Sequence, residues 1–399
     1  MDGRRRAGPG SRPGYLAAAA VFAVGMAGTT LPTPLYGLYR EEIGFSELTV
    51  TVVFAVYALG VITTLLLAGD LSDRMGRRPV LLTALVLAAG SDLCFLLEDG
   101  LPLLFTGRVL SGFSAGLLSG TATAAVLELA PEGREGRAGF AATAANRGGL
   151  GCGPLLAGLL ATYAPAPLHT PFLVHLALLV PAVTVVLALP ETVPGPHRPP
   201  GRPQGIVVPS EVRGVFVPCA AAAFGGFALL GLFTAVTPAF LSETLGVTDL
   251  AAAGAVVFSV FLASTFGQWL TSRTGTDRAL PAGCFVLVLG LLLIGSSLGA
   301  ASLPLLLAGT LIGGTGQGLA FRAALTTVAA AAPAARRGAT ISAFFVVAYT
   351  GISLPVVGVG ALSLALGLRA AGLVFTGALT LLALTVGLTL LRRALGPRA

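Results

Sequence analysis

The chain has 399 residues, of which 55% are hydrophobic and only 10% are charged, against about 25% charged residues in an average soluble domain. The net charge is +7, yet the 24 basic residues are all arginines in short clusters between apolar blocks, with no basic face and no interleaved aromatic residues. This composition excludes a single soluble core and argues against nucleic acid as a partner.

Apolar blocks recur along the chain at about 20 residues each, the length that a helix needs to cross about 30 Å of hydrocarbon. They predict an all-α integral membrane protein with twelve transmembrane helices. The apolar run after Arg4, Arg5 and Arg6 is too long for a secretory signal. The spans are predicted near residues 14–37, 47–68, 79–97, 101–126, 138–162, 170–190, 214–240, 248–270, 280–299, 302–328, 338–365 and 367–391.

The arginines predict the orientation of these spans. If both termini are inside, nineteen arginines fall in cytoplasmic segments and only Arg40 and Arg369 fall outside. Cytoplasmic loops carry such an excess of basic residues. We therefore expect a multi-pass protein of the plasma (inner) membrane with both termini cytoplasmic.

The sequence also repeats itself. The segment Leu101–Gly107 reappears as Leu303–Gly309, 202 residues later, and the loop around Asp73 has a degraded copy around Ser272. The repeat indicates that six spans have been duplicated in parallel.

The duplication predicts an N-terminal six-helix half over 1–190 and a C-terminal half over 214–399. The joining segment, 191–213, is rich in prolines that forbid a long helix, so we expect a cytoplasmic linker. Duplicated halves of this kind form a solute site near the middle of the membrane, and access to it alternates.

The loop after the second span has the pattern Gly-x-Leu-x-Asp-Arg-x-Gly-Arg-Arg. Its chemistry alone fits either a functional loop, in which Asp73 accepts hydrogen bonds at a helix end and the arginines pair with acids or lipid phosphate, or an ordinary basic turn. The pattern strongly resembles the signature of the major facilitator superfamily, and the resemblance implies a latch that joins the halves on the cytoplasmic side in the outward-facing state. The second copy has Ser272 in place of the acid, so we expect the first half to carry the latch. The fixed positions are Gly69, Leu71, Asp73, Arg74, Gly76, Arg77 and Arg78.

The fourth span contains Arg108. A charged side chain inside a membrane raises the free energy unless it faces a polar cavity or a partner group. The surrounding residues resemble the fourth-helix motif of the same family, in which the arginine is tied to proton coupling in antiporters. A structural role in helix packing is the alternative.

The fifth span contains Gly149, Gly153, Pro154 and Gly158, with small residues that permit close helix contact. This segment resembles a motif associated with antiporters, from which it departs at Ala157. The resemblance favours export over uptake, and within the family it points to the drug/proton antiporter branch.

Asp92 is the one carboxylate well inside a predicted span. It could carry a proton or pair with Arg108 or Arg147, or it could be a polar residue near the outer surface. Asp92, Arg108 and Arg147 are therefore the candidates for proton coupling, whereas His175 is expected to be packed.

The resemblance implies that spans one, four, seven and ten line the cavity. Aromatic residues at helical spacing could instead face lipid or the core. The main candidates are Thr33, Tyr36, Phe227, Phe233, Gln317 and Phe321, with Thr29, Thr30, Ser111, Thr234 and Thr315 beside them.

These observations predict a proton-coupled secondary transporter that exports small amphipathic molecules and works as a monomer in the lipid bilayer. Uptake of a small metabolite and a transport-dead sensor or lipid-handling protein of the same fold are the alternatives. The sequence has no metal-ligand cluster, catalytic trio or phosphate-binding lysine loop, so we expect no enzyme activity, no metal and no cofactor, with the proton gradient as the energy source. Arg108 and Arg147 near the middle of the membrane predict a preference for neutral or anionic amphiphiles over permanent cations.

Overall fold

The computed structural model describes residues 12–193 and 208–395, and these residues form helices without a strand. Arg4, Arg5, Arg6 and residues 194–207 of the predicted linker lie outside the described residues. The α-helices are α1 (Arg12–Thr30), α2 (Tyr36–Ile43), α3 (Glu47–Leu67), α4 (Leu71–Met75), α5 (Arg77–Leu96), α6 (Leu101–Glu128), α7 (Glu135–Tyr163), α8 (Thr170–Ala188), α9 (Arg213–Ala235), α10 (Thr237–Leu245), α11 (Leu250–Thr274), α12 (Thr276–Ala300), α13 (Leu303–Ala331), α14 (Arg337–Leu366) and α15 (Leu368–Leu395).

Eleven stretches in the described part of the chain are long and apolar enough to cross a membrane, the first of them running from Gly14 to Ile43 through α1 and α2. The remaining predicted span, the fifth along the chain, is α7, which has 29 residues but a less apolar sequence that includes Asn146 and Arg147. The predicted all-α membrane fold is confirmed.

The backbone repeats in the same way as the sequence. Gly44 and Gly246 end α2 and α10 with φ angles of +80° and +66°, and Gly76 and Gly275 precede α5 and α12 with φ angles of +98° and +78°. Glycine takes this left-handed region without steric strain. The same turns therefore recur at matching places in the two halves of the chain.

Helices α7 and α11 form one contact between the first and second halves, and α3 and α14 form another. A Cβ atom at Gly158 would lie 2.2 Å from the carbonyl oxygen of Leu250, and one at Gly254 would lie 2.3 Å from that of Pro154. Only glycine permits this approach of α7 to α11. Gly149 and Gly153 instead pack α7 closely against α1.

Pro154 interrupts the hydrogen bonding of α7, because proline has no N–H to donate to the carbonyl of Leu150. The hydroxyl of Thr30 on α1 donates to that carbonyl at 2.7 Å. A neighbouring helix thus satisfies the backbone group that the proline leaves free, as burial away from water requires.

The start of α5 is held by Glu191, which follows α8. Its carboxylate accepts hydrogen bonds from the backbone N–H groups of Arg77 at 2.8 Å and Arg78 at 3.0 Å, at the positive end of the helix dipole. A Cβ atom at Gly76 would lie 2.7 Å from this carboxylate, so a side chain there would displace it. Partial burial raises the pKa of Glu191, but the hydrogen bonds from Arg77 and Arg78 outweigh burial and hold it below its ordinary value.

We predict that Thr30→Val destabilises the protein by about 1 kcal/mol, because the carbonyl of Leu150 loses its donor. Thermal unfolding in detergent measures the change. Thr143→Val is the matched control, since the Thr143 hydroxyl donates only to a carbonyl of its own helix, that of Gly139. Equal effects of the two substitutions would contradict the role given to Thr30.

We predict that Glu191→Gln lowers the melting temperature at neutral pH, because the ionised carboxylate stabilises the start of α5. Since the pKa of Glu191 is lowered by folding, its contribution is complete above the ordinary value of 4.5 and disappears as the pH falls through the lower folded value. The melting temperatures of the two proteins should therefore converge in acid. Glu132→Gln, at an exposed position, should change neither the temperature nor its pH dependence.

Candidate functional site

A cavity of about 580 Å³ lies between the two halves. It extends from Thr29 and Arg108 to Asp70 and to Ile341 near the start of α14, the end that the arginine distribution assigns to the cytoplasm. Its walls come from α1, α3, α6 and α7 of the first half and from α9, α11, α13 and α14 of the second. The volume falls within the range of about 300–1,000 Å³ that is usual for small-molecule sites.

The opposite end of the bundle is closed by contacts between the halves. Arg40 of α2 donates to Glu47 at 2.6 Å and to Glu243 of α10 at 2.9 Å. Near the end of α7, Thr162 donates to Asp249 at 3.2 Å, and Asp249 also caps the start of α11. The cavity is therefore open toward one side of the membrane only.

Arg108 forms the inner end of the cavity and is 1% exposed. One of its terminal nitrogens donates to the carbonyl oxygen of Thr29 at 2.7 Å, and its guanidinium lies 4.7 Å from the ring centre of Tyr57. Its Nε has no acceptor among the described residues.

Arg147 of α7 also lines the cavity and is 7% exposed. Its guanidinium lies 5.5 Å from the ring centre of Phe227 on α9 and 5.1 Å from that of Phe321 on α13. In the described part of the chain it has no hydrogen-bond acceptor and no acidic partner. A positive charge of the first half thus rests on aromatic rings of the second.

These aromatic contacts offset much of the free-energy cost of burying the two charges. An arginine at the centre of a membrane helix costs about 2.5–3.5 kcal/mol on insertion scales. Each contact with an aromatic face stabilises a cation by about 0.5–2 kcal/mol. Each arginine has two such contacts, which together offset much of this cost. They supply no oxygen acceptor for the guanidinium N–H groups.

Asp92 does not pair with either arginine in this structure; it is buried, at 2% exposure, in the last turns of α5. One of its oxygens lies 2.6 Å from Nδ1 of His175 on α8, which is fully buried. His175 Nε2 lies 2.9 Å from the carbonyl oxygen of Val24, which can only accept, so Nε2 carries a hydrogen. The remaining position between the imidazole and the carboxylate then holds one shared proton.

Helix α1 connects this pair to the cavity. Its Val24 carbonyl binds His175, and its Thr29 carbonyl binds Arg108. Between them, Gly28 faces the imidazole so closely that a Cβ atom would lie 2.3 Å from the ring. A change at the acid–histidine pair and a change at the cavity arginine therefore both act on the same turns of α1.

Among the six main residues predicted to line the cavity, Phe227 and Phe321 do so. Thr33 and Tyr36 are buried near the closed end, Phe233 is buried in the second half, and Gln317 accepts a hydrogen bond from Ser264 at 2.6 Å. In this conformation these four residues do not reach the cavity. Of the secondary candidates, Thr29, Thr30 and Thr234 line it, whereas Ser111 and Thr315 do not.

The sequence did not single out Tyr57 of α3, Tyr349 of α14 or the pairing of His175. The two tyrosines line the cavity from helices that the predicted set of four spans leaves out. A polar aromatic residue within an apolar span is the signal that could have found them.

The predicted latch residues form a network within the first half. Arg77 donates to both carboxylate oxygens of Glu128, at 2.7 and 3.1 Å, and to Ser72 at 2.6 Å. Asp73 lies 2.6 Å from Arg77, yet its side chain is 63% exposed. Arg74 pairs with Asp70 at the mouth of the cavity, Arg78 donates to the carbonyl oxygen of Leu187, and Gly69 and Leu71 flank the turn into α4.

Part of the sequence is similar to proteins that confer drug resistance. It is 31% identical over 167 residues to the class B tetracycline resistance protein of Escherichia coli, and 38% identical over 85 residues to the multidrug resistance protein MdtL of Citrobacter koseri. These matches cover 41% and 21% of this chain and span only 39% and 22% of the two relatives.

Solved structures share the fold over nearly the whole chain at low sequence identity. A POT family transporter in complex with a thioalcohol-conjugated peptide superposes with a TM-score of 0.78 at 13% identity, covering 96% of both chains. A bacterial homologue of the human lysosomal transporter Spinster, inward-facing and unoccupied, gives 0.72 at 16% identity, covering 98% of this chain and all of that one. The sequence profile of the Major Facilitator Superfamily matches residues 17–355, so the chain belongs to this superfamily of transporters.

Proposed function

We propose that this protein is a proton-coupled secondary transporter, rather than an enzyme, that exports small amphipathic molecules from the cytoplasm by alternating access. The observation that carries the proposal is a cavity between two halves that is open at one end and closed at the other by cross-half contacts such as that of Arg40 with Glu243. Rocking of the halves about the cavity would exchange the open and closed ends.

The direction of transport rests on two further observations. With both termini inside, as the arginines predict, the open end of the cavity would face the cytoplasm, where an exporter takes up its substrate. The curated relatives carry names of resistance to tetracycline and to multiple drugs, which supports export over uptake.

The Asp92–His175 pair is the proposed site of proton binding. With one shared proton the pair is neutral overall, so gain or loss of a proton changes its charge by one unit in a buried, weakly polar place. Arg108 of α6 binds the same helix, α1, at the Thr29 carbonyl. Because α1 binds both His175 and Arg108, protonation would alter the helix that holds the inner end of the cavity.

The test of function is flux in proteoliposomes. A panel of neutral, anionic and cationic fluorophores is followed with and without an imposed pH gradient, together with the internal pH. We expect the gradient to accelerate the movement of at least one compound. Protons should move in the opposite direction as that compound moves. Flux of every compound at the rate of empty liposomes would contradict the proposal.

We predict that Asp92→Asn and His175→Gln each abolish the dependence of flux on the pH gradient. The shared proton needs both side chains, and neither Asn nor Gln gains or loses a proton near neutral pH. The pH profile of flux is the measurement. Asp99→Asn, an exposed acid just beyond the same helix, should retain the profile of the unmutated protein. An unchanged profile in both pair variants would remove the pair from the coupling path.

We predict that Asp73→Asn reduces flux about tenfold, which corresponds to an activation free energy of transport higher by about 1.4 kcal/mol. Membrane insertion and thermal stability should be unchanged. Arg77 keeps its bonds to Glu128 and Ser72 in this variant, so the fold around α5 remains supported. Asp277→Asn, in the first turn of α12 of the second half, is the control. Flux at the unmutated rate in Asp73→Asn would argue against a latch.

A further inference from the structure

We propose that the inner part of the cavity binds organic anions, with a carboxylate of the substrate held by Arg147 and Arg108. The inference rests on the proposed function, since it names the class of molecule that the transport cavity takes. It concerns binding, however, and can be tested without transport.

The charges that line the cavity are unbalanced. Three arginines line it, Arg74, Arg108 and Arg147, against a single carboxylate, Asp70, within the part of the chain that the structure describes. Asp70 is paired with Arg74 at the mouth, which leaves the inner part with two positive charges and no acid. Asp92, the buried acid of the neighbouring helix, is engaged by His175 and does not line the cavity.

The donors of these arginines have few acceptors on the protein. Within the described ranges, Arg147 lies against two aromatic rings and has no hydrogen-bond acceptor. Arg108 uses one terminal nitrogen for the Thr29 carbonyl, and its Nε has no acceptor there. A guanidinium presents a planar fork of N–H groups that matches the two oxygens of a carboxylate. A carboxylate in the cavity would therefore supply the acceptors that the surrounding helices do not.

The walls indicate the rest of the ligand. Aromatic side chains line the cavity from both halves, including Phe54 and Tyr57 from the first and Phe227, Phe321 and Tyr349 from the second. Such walls favour a flat apolar body, and the volume of about 580 Å³ accommodates several fused rings. The expected substrate class is an aromatic or polycyclic molecule that carries one carboxylate.

Anion binding would also link occupancy to closure. When the open end closes, the cavity beside Arg108 and Arg147 loses its connection to bulk water, and an unpaired buried charge strongly disfavours that state. A bound carboxylate pairs with these charges and lowers the free energy of the closed state. The loaded carrier would then close more readily than the empty one, which is the condition for productive transport.

The experiment measures equilibrium binding to the full-length protein in detergent with three probes that share one ring system: 9-anthracenecarboxylate, 9-anthracenecarboxamide and 9-anthracenemethylammonium. We expect the carboxylate to bind at least about tenfold more tightly than either of the others. Equal or tighter binding of the ammonium probe by the unmutated protein would overturn the proposal, and this comparison needs no variant to fold.

Substitutions then locate the site. Arg147→Gln should weaken carboxylate binding about tenfold and leave carboxamide binding within about twofold. Arg147→Lys should restore part of the carboxylate affinity because it keeps the positive charge; the recovery should be incomplete because lysine lacks the planar pair of N–H donors. Arg322→Gln is the matched control, since Arg322 lies on α13 but does not line the cavity. An equal loss for carboxylate and carboxamide in Arg147→Gln would show a packing role and contradict the anion site.

The outcomes separate this inference from the proposed function. Tight carboxylate binding without gradient-driven flux would support the anion site and contradict proton-coupled transport. Gradient-driven efflux of a permanent cation, with no preference for the carboxylate probe, would support transport and overturn the anion site.

Discussion

The constraint on which the structure depends is the burial of two guanidinium groups inside a membrane-spanning bundle. Neither Arg108 nor Arg147 has an acidic partner among the described residues, so their surroundings must provide partial substitutes: a backbone carbonyl and the faces of aromatic rings. The rings over Arg147 belong to the opposite half. The positive charge of Arg147 therefore lies at the interface of the halves, and its stabilisation by the rings depends on the distance between the halves.

Helix α1 is the element through which these local features act on one another. Its carbonyl groups bind His175 and Arg108, and the hydroxyl of Thr30 completes the hydrogen bonding of α7 beside Pro154. The glycines of the fifth-helix motif bring α7 against the same helix. A displacement of α1 would therefore affect the cavity, the acid–histidine pair and the hydrogen bonding of α7 together.

The sequence predicts what is set by local periodicity and misses what is set by packing between distant segments. The apolar blocks and the repeat of Leu101–Gly107 suffice for the spans, and the loop motif identifies the latch residues, whose role stays a prediction. The contact of His175 with Asp92 joins residues 83 positions apart, and Glu191 reaches Arg77 across 114 positions, so neither follows from a local pattern. Which side chains line the cavity depends also on conformation, because a carrier exposes different walls as its halves rock.

The contact of Arg40 with Glu243 gives the surrounding medium an influence over the resting carrier. Both side chains are partly exposed, at 28% and 44%, so dissolved ions screen their attraction. An exposed pair of this kind stabilises by about 1 kcal/mol or less, which corresponds to about a fivefold change in the ratio of two states. A higher salt concentration at this end of the bundle would therefore weaken the contact and shift the population away from the conformation described here, and a lower salt concentration would enrich that conformation.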